Sequence, residues 1–225
     1  MSSFALKIIA MITMLCDHCG YIFLNKTSFL NVIGKISFPI FAFQISEGYK
    51  HTKNLKLYIF RLFLFAIASQ IPFSLFLMCL GESGLTLNIF FTLLLGLLSI
   101  LIYDKSKNKF LGIFPVILLI ALAEFFHCDY GWFGVTIIFL LYLFKNNRLL
   151  MNSSFIFAVV LKYLVAYYKT PFVFYLYFVI SNLISLLIIN LYNGKKGRNI
   201  KYLLYIFYPL HLMILYIIHV LMFGC

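Results

Sequence analysis

The chain has 225 residues, of which 64% are apolar and 11% charged, and its mean hydropathy is +1.04. This composition excludes a water-soluble globular domain and predicts an all-α, polytopic membrane helix bundle. The net charge of +12 would favour nucleic-acid binding in a soluble chain, but here the basic residues cluster in alternate connections between apolar segments. That alternation is the positive-inside pattern. The predicted partner is therefore the lipid bilayer, with no role for nucleic acid.

Nine apolar segments follow one another along the chain. They cover residues 4–24, 29–48, 58–80, 87–103, 110–126, 132–144, 153–168, 173–192 and 201–223. Most of them are long enough to cross hydrocarbon about 30 Å thick, and because segment 132–144 is short the same pattern fits eight to ten helices. The basic connections place the N-terminus in the cytoplasm. No long hydrophilic segment intervenes, so residues 1–225 are predicted to form a single integral-membrane domain.

The first helix carries three ionisable residues. Lys7 and His18 are eleven positions apart, which places them on one helix face and about 16 Å apart along the axis. Asp17 is turned about 100° from His18, so we expect it to pair with Lys35 of the second helix. Charges inside a membrane helix are costly, and an imidazole exchanges protons near neutral pH. We therefore predict that His18, with Asp17 and Lys35, forms a catalytic centre; the alternative is a structural hydrogen-bond network between helices.

Alternation of helix direction places three polar residues near the cytoplasmic surface. They are Lys7, Glu47 and Arg61. Basic side chains bind phosphate, and arginine does so in a bidentate manner, so we expect this inner group to bind a phosphorylated cytosolic cofactor. The alternative role for Lys7 is that of an anchor at the membrane surface.

Three further polar residues lie in the outer half of the membrane or near mid-depth. They are Asn88, Glu124 and His211. We expect these residues to bind an acceptor substrate, because polar groups inside a membrane are costly and often functional. Hydrogen bonds between helices are the alternative for all three.

The cysteines do not predict a metal site. Cys16 and Cys19 flank Asp17 and His18, but a helical i, i+3 pair supplies at most two of the four ligands of structural zinc. No second Cys/His pair stands at ligand spacing, so no metal is predicted.

Ordered motifs along most of the chain resemble the TraX family. Lys7-x10-His18 followed by Gly20 is similar to the family's opening helix and to the Arg/Lys-x10-His signature of acyltransferase family 3. Further similar motifs are Gly34-Lys35-Ile36-Ser37-Phe38-Pro39-Ile40-Phe41-Ala42-Phe43, Glu47-Gly48-Tyr49, Arg61-Leu62, Asn88-Ile89-x-Phe91-Thr92-Leu93, Tyr130-Gly131-x-x-Gly134-Val135 and Tyr208-Pro209-Leu210-His211-Leu212. Lys35 stands where the family has arginine, which keeps the positive charge but loses bidentate geometry.

The resemblance implies an acyltransferase of the bacterial cytoplasmic membrane that takes an acetyl group from cytosolic acetyl-CoA. The implied acceptor at the outer face is the amino terminus of a pilin, another peptide or a surface glycan. His18 would act as general base, by direct transfer or through an acetyl-histidine, and Lys35 or Asn88 would stabilise the oxyanion. Two other functions stay open: a proton-coupled transporter or channel, and a non-catalytic membrane assembly factor for a surface structure.

Overall fold

The computed structural model describes residues 1–24, 28–82, 84–169 and 172–223. Its helices are α1 (Ser3–Phe23), α2 (Phe29–Gly34), α3 (Ser37–His51), α4 (Leu55–Ala68), α5 (Gln70–Cys79), α6 (Ile89–Lys105), α7 (Ile113–Phe125), α8 (Gly131–Leu143), α9 (Arg148–Lys169), α10 (Phe174–Asn190) and α11 (Lys201–Phe223). α2 with α3 and α4 with α5 form continuous apolar segments, Phe29–His51 and Leu55–Cys79. The described part of the chain therefore contains nine helical segments, which confirms the predicted all-α bundle.

Five of these segments are long and apolar enough to cross a membrane. They are Ser3–Phe23, Phe29–His51, Leu55–Cys79, Arg148–Lys169 and Tyr202–Phe223. Many large apolar side chains on the helix surfaces are exposed. Such a surface is unfavourable in water and is covered by lipid in a bilayer. The protein is a multi-pass protein of the cell membrane, as the hydropathy pattern predicts.

By their internal contacts the residues separate into two compact units. Unit 1 contains Met1–Phe41, Ile71–Gly84 and Val159–Cys225, and unit 2 contains Ala42–Gln70 and Leu85–Ala158. The single integral-membrane domain expected over the whole chain stays a prediction. The polar centres described below each lie within one unit.

In unit 1, α1 packs against α2 and α11, and α2 packs against α10. The close approach of α1 and α2 depends on Gly34, because a Cβ atom at this position would overlap the side chain of Asp17. The absence of a side chain at Gly34 therefore brings the polar residues of α2 within reach of Asp17.

In unit 2, α6 packs against α4, α7 and α8. Asn88 caps the N-terminus of α6, since its side chain accepts a hydrogen bond from the Phe90 N–H at 3.0 Å. Just before α6, Leu87 forms backbone hydrogen bonds with His127 (3.1 Å) and Asp129 (2.8 Å) of the α7–α8 connection. These contacts fix the start of α6 and the loop before α8 within unit 2.

Candidate functional site

Asp17 of α1 is the centre of a buried ionic network in unit 1. Lys35 Nζ lies 3.0 Å from Asp17 Oδ2 and 3.2 Å from Oδ1. Asn31 Nδ2 donates hydrogen bonds to Asp17 Oδ1 (3.1 Å) and to the Asp17 carbonyl (2.9 Å). A buried carboxylate requires such partners, because an unpaired charge away from water is very unfavourable. The predicted contact between Asp17 and Lys35 is confirmed.

Lys35 is also in contact with two aromatic residues. Its Nζ donates to the Tyr21 hydroxyl at 2.9 Å and lies 5.4 Å from the centre of the Phe178 ring of α10. The two Asp17 oxygens and the Tyr21 oxygen match the three donors of an ammonium group. The amine therefore holds Asp17 in place, and it would have to give up one of these partners to contact an oxyanion.

His18 is paired with His211 of α11. His18 Nδ1 lies 2.7 Å from His211 Nε2, and the two ring planes differ by 19°. The other nitrogen of His211, Nδ1, lies 2.7 Å from the Phe207 carbonyl oxygen. His211 is buried, whereas His18 is partly exposed and its ring packs edge to face against Phe76, with ring centres 5.1 Å apart. The backbone of α11 thus fixes the His211 ring, and His18 is the member of the pair that is partly exposed.

The hydrogen-bond partners assign the protons on both neutral rings. The Phe207 carbonyl can only accept, so His211 Nδ1 carries a hydrogen and donates to it. His211 Nε2 is then an acceptor, and His18 Nδ1 donates to it. His18 Nε2 is left with a lone pair, which is the state that a general base requires.

The predicted inner group is divided between the two units. Lys7 lies on α1 in unit 1, is half-buried and is separated from His18 by three turns of uninterrupted helix. Glu47 and Arg61 belong to unit 2. Glu47 Oε2 lies 3.3 Å from His51 Nε2 on the next turn of α3. The buried Nε of Arg61 has no hydrogen-bond partner among the residues that the structure describes.

Asn88 and Glu124, predicted to bind an acceptor, also lie in unit 2 and have structural partners. The Asn88 amide donates to the Ala66 carbonyl (2.7 Å) and to Gln70 Oε1 (2.8 Å), and Asn88 is fully buried. Glu124 Oε2 accepts the Trp132 N–H at 3.1 Å, at the start of α8. Their roles in acceptor binding stay predictions, as does that of His211, which contacts His18.

A second carboxylate centre, not anticipated from the sequence, lies at the C-terminal end of α6 in unit 2. The hydroxyls of Tyr142 and Tyr49 donate to the two oxygens of Asp104, at 2.6 and 2.8 Å. The Tyr142 bond is the main reason why the pKa of the Asp104 carboxyl lies below its ordinary value. Lys145 Nζ lies 3.7 Å from the centre of the Tyr142 ring. The exposed Asp104 carboxylate therefore has two hydroxyl donors and a positive charge nearby.

Sequence reasoning also missed Asn31 and Tyr21, which complete the network around Asp17. Both had a detectable signal: Tyr21 follows Asp17 by four residues and Asn31 precedes Lys35 by four, and residues at this spacing share a helix face. No group of three or more His, Cys, Asp or Glu side chains that could hold a metal ion occurs in the described ranges.

These features define a polytopic membrane protein with an ion pair between Asp17 and Lys35 and a hydrogen-bonded histidine pair that joins α1 to α11. The chain belongs to the TraX family, because the family described as TraX protein matches residues 2–219. It is 28% identical, over 95% of its length and 94% of the relative's, to the probable fimbrial assembly protein FimC, serogroup H1, of Dichelobacter nodosus. No solved structure matches the chain. The resemblance to the TraX family is confirmed, and the resemblance to acyltransferase family 3 stays a prediction.

Proposed function

We propose that this protein is a membrane-embedded acyltransferase that moves an acetyl group from cytosolic acetyl-CoA to an amine or hydroxyl at the outer face of the membrane. The observation that carries the proposal is the hydrogen-bonded pair of His18 and His211. It leaves His18 Nε2 unprotonated on a partly exposed ring inside a membrane helix. A base in this state is what an acyl transfer to a neutral nucleophile requires.

The proposed reaction uses His18 as general base. His18 Nε2 takes the proton of the acceptor amine or hydroxyl while the acceptor forms a bond to the acetyl carbonyl carbon. The bond from that carbon to sulfur then breaks, and the thiolate leaves with the electron pair and takes up the proton. A positioned imidazole contributes about 10²–10⁴-fold to such reactions. Transfer through an acetyl group on His18 is a variant of the same proposal.

The residues around His18 hold it for this task. The His18–His211 bond fixes the ring orientation and keeps the hydrogen on Nδ1. Asp17 and Lys35 neutralise each other next to His18, so that no unpaired charge remains at this point of α1. Lys35 is proposed to turn from this network to the developing oxyanion, where an ammonium group would stabilise negative charge.

Two separate places are proposed for anionic groups of the donor, Lys7 in unit 1 and Arg61 with Glu47 in unit 2. The buried Arg61 Nε, which no described residue satisfies, fits an anionic ligand, because a buried donor without a partner is unfavourable. Lys7 is half-buried on the helix that carries His18, and its ammonium group would bind a phosphate of the donor as a point charge. Glu47 is proposed to accept a hydrogen bond from a donor hydroxyl or amine.

The proposed acceptor is a pilin-like subunit, because the relative from Dichelobacter nodosus is named as a probable fimbrial assembly protein. A role in fimbrial assembly would then be carried out through acetylation of that subunit at the His18–His211 pair of unit 1. Another peptide or a surface glycan satisfies the same chemistry, since the acceptor has only to offer an amine or a hydroxyl.

The test is to express the wild type or the His18→Ala variant in bacteria lacking the endogenous gene, and to measure the intact mass of the fimbrial subunit. We expect the acetyl group on the subunit with the wild type and a loss of at least about 100-fold with His18→Ala. Cys19→Ala, one residue further along α1 and also partly exposed, is the matched control and should stay active.

Acetylation that persists in the His18→Ala variant would remove the central claim. An unmodified subunit in both strains would call for labelled acetyl-CoA and extracted surface glycans as the next acceptor. Flux of protons without any acyl donor, measured in liposomes, would favour a transporter or channel. Fimbriae that assemble normally with His18→Ala but not without the protein would favour a non-catalytic assembly factor.

A further inference from the structure

The connection between α10 and α11 is fastened to the first turn of α1. The Ser3 N–H donates to the Lys195 carbonyl at 2.8 Å and the Phe4 N–H donates to the Lys196 carbonyl at 3.1 Å. In the opposite direction, the Asn193 N–H donates to the Met1 carbonyl at 2.9 Å. The first two bonds satisfy donors that a helix start leaves without intrahelical partners, and all three fix the loop against α1. We call residues 193–197 the basic strap.

Gly197 permits this attachment. Its φ angle is +67°, and a Cβ atom at this position would lie 2.9 Å from both the Phe4 Cβ and the Ser2 Oγ. A residue with a side chain would therefore meet both a backbone penalty and a steric one. The basic strap is thus shaped to lie directly on the start of α1.

The basic strap brings positive charges together. Lys7 follows Ser3 by four residues, so the two lie on one face of α1 about one turn apart, and the bond from the Phe4 N–H to the Lys196 carbonyl attaches Lys196 to this same first turn. Neither lysine takes part in an ion pair with any described residue.

Carboxylates are scarce around this pair of lysines. The sequence contains no Asp or Glu from residue 130 to residue 225, so the basic strap and both helices beside it have none. Asp17, the first acidic residue of α1, lies about 15 Å further along the helix and is paired with Lys35. The positive-inside rule requires basic residues on this side of the membrane, but it does not require one of them to be half-buried and held next to another.

We propose that Lys7 and Lys196, held together by the basic strap, form a binding site for a phosphate group on the cytoplasmic side of unit 1. Two ammonium groups that converge on one anion would each form a charge-assisted hydrogen bond with it. The phosphate can belong to a soluble ligand or to an anionic lipid headgroup. The statement that this phosphate belongs to the acyl donor rests on the proposed function. The statement that the two lysines bind a phosphate does not.

Binding is measured on the full-length protein in nanodiscs, with no acetyl group and no acceptor present. The soluble arm titrates inorganic pyrophosphate into phosphatidylcholine nanodiscs, and the lipid arm compares the unfolding temperature in discs with and without phosphatidylglycerol. We expect Lys7→Gln and Lys196→Gln each to weaken binding about tenfold in one arm, as the loss of a charge-assisted contact predicts. Lys107→Gln, an exposed lysine of unit 2, is the matched control and should bind like the wild type.

Gly197→Ala adds a test that changes no charge. It should displace the basic strap and weaken phosphate binding to the level of Lys196→Gln, and combining the two changes should add little. Lys196→Arg keeps the charge and should retain binding, which separates loss of charge from loss of folding.

Absence of binding in both arms would overturn the site, as would equal losses with Lys7→Gln, Lys196→Gln and Lys107→Gln. Binding of pyrophosphate would support a soluble ligand, and an effect confined to phosphatidylglycerol would support a lipid headgroup. Because neither arm contains an acyl group, a failure of acetyl transfer in the His18 experiment would leave this result unaffected.

Discussion

Two carboxylates, Asp17 in unit 1 and Asp104 in unit 2, are bound in different ways. Asp17 is buried and its partners are an ammonium group and an amide, from Lys35 and Asn31. Asp104 is exposed and its partners are two neutral hydroxyls, from Tyr142 and Tyr49. Water already stabilises the charge of an exposed carboxylate, whereas a buried one depends on its protein partners.

A related difference concerns which polar groups are available for a reaction. The network of Asp17 lies next to His18 in sequence, and the histidine pair beside it ends in one nitrogen with a lone pair. The polar atoms of Asn88 in unit 2 are instead used for a helix cap and two bonds between segments. A histidine nitrogen that keeps its lone pair can accept a proton, whereas an amide whose polar atoms are used in a cap and between helices supports the fold.

The largest expected effect is on stability, from Asp17→Leu. Removing the carboxylate leaves the mostly buried Lys35 ammonium group without its counter-charge, which is expected to cost about 3 kcal/mol of unfolding free energy. The measurement is an SDS-induced unfolding curve of the purified protein. The double variant Asp17→Leu/Lys35→Met removes both charges and should recover most of the loss.

If the double variant is as unstable as Asp17→Leu, the ion pair is not the source of the effect and the comparison with Asp104 fails. Transfer activity of the double variant is informative in the same experiment. A stable but inactive double variant would show that the pair serves the reaction as well as the fold.

A second prediction concerns the assigned protons of the histidine pair. His211→Leu removes the acceptor of the His18 Nδ1–H, so the His18 ring loses its fixed tautomer and orientation, and transfer should fall about 100-fold, at the lower end of the contribution of a positioned base. His211→Gln can still accept this hydrogen bond through its side-chain oxygen and should keep activity within about tenfold of the wild type. The measurement is the rate of acetyl transfer against pH for each variant.

His211→Leu and His211→Gln should differ in rate but not in unfolding midpoint. If both lose activity equally, His211 does not act through an acceptor atom. If both lose stability and activity in parallel, the pair has a structural role and unit 1 resembles unit 2 in this respect.

Much of the fold follows from the sequence, and less of the site does. The nine helical segments were predictable because each is a run of apolar residues between polar connections, and five of them are long enough to cross a membrane. The contact of Asp17 with Lys35 was predictable because buried opposite charges have few other options. The contact of His18 with His211 joins residues 193 positions apart, and helix order in a bundle is set by packing that hydropathy does not encode. For the same reason the shared contact of Tyr49 and Tyr142 with Asp104 could not be predicted, since these residues are far apart in the sequence.

The smallest expected effect concerns Asp104. The Tyr142 hydroxyl favours the ionised carboxylate and lowers its pKa below the ordinary 3.8, so the bond stabilises the fold above pH 3.8 and this contribution is lost as pH falls through the lowered pKa. Tyr142→Phe should therefore cost about 0.5 kcal/mol at neutral pH, the low end for a hydrogen bond, because Asp104 is exposed. The cost should shrink when unfolding is measured at successively lower pH below 3.8.

Tyr168→Phe, whose side chain is 92% exposed, is the matched control and should show no cost at any pH. A cost of Tyr142→Phe that is the same at low and neutral pH would mean that ring packing, and not the carboxylate, makes Tyr142 stabilising, and the two acidic centres would then differ in kind as well as in strength.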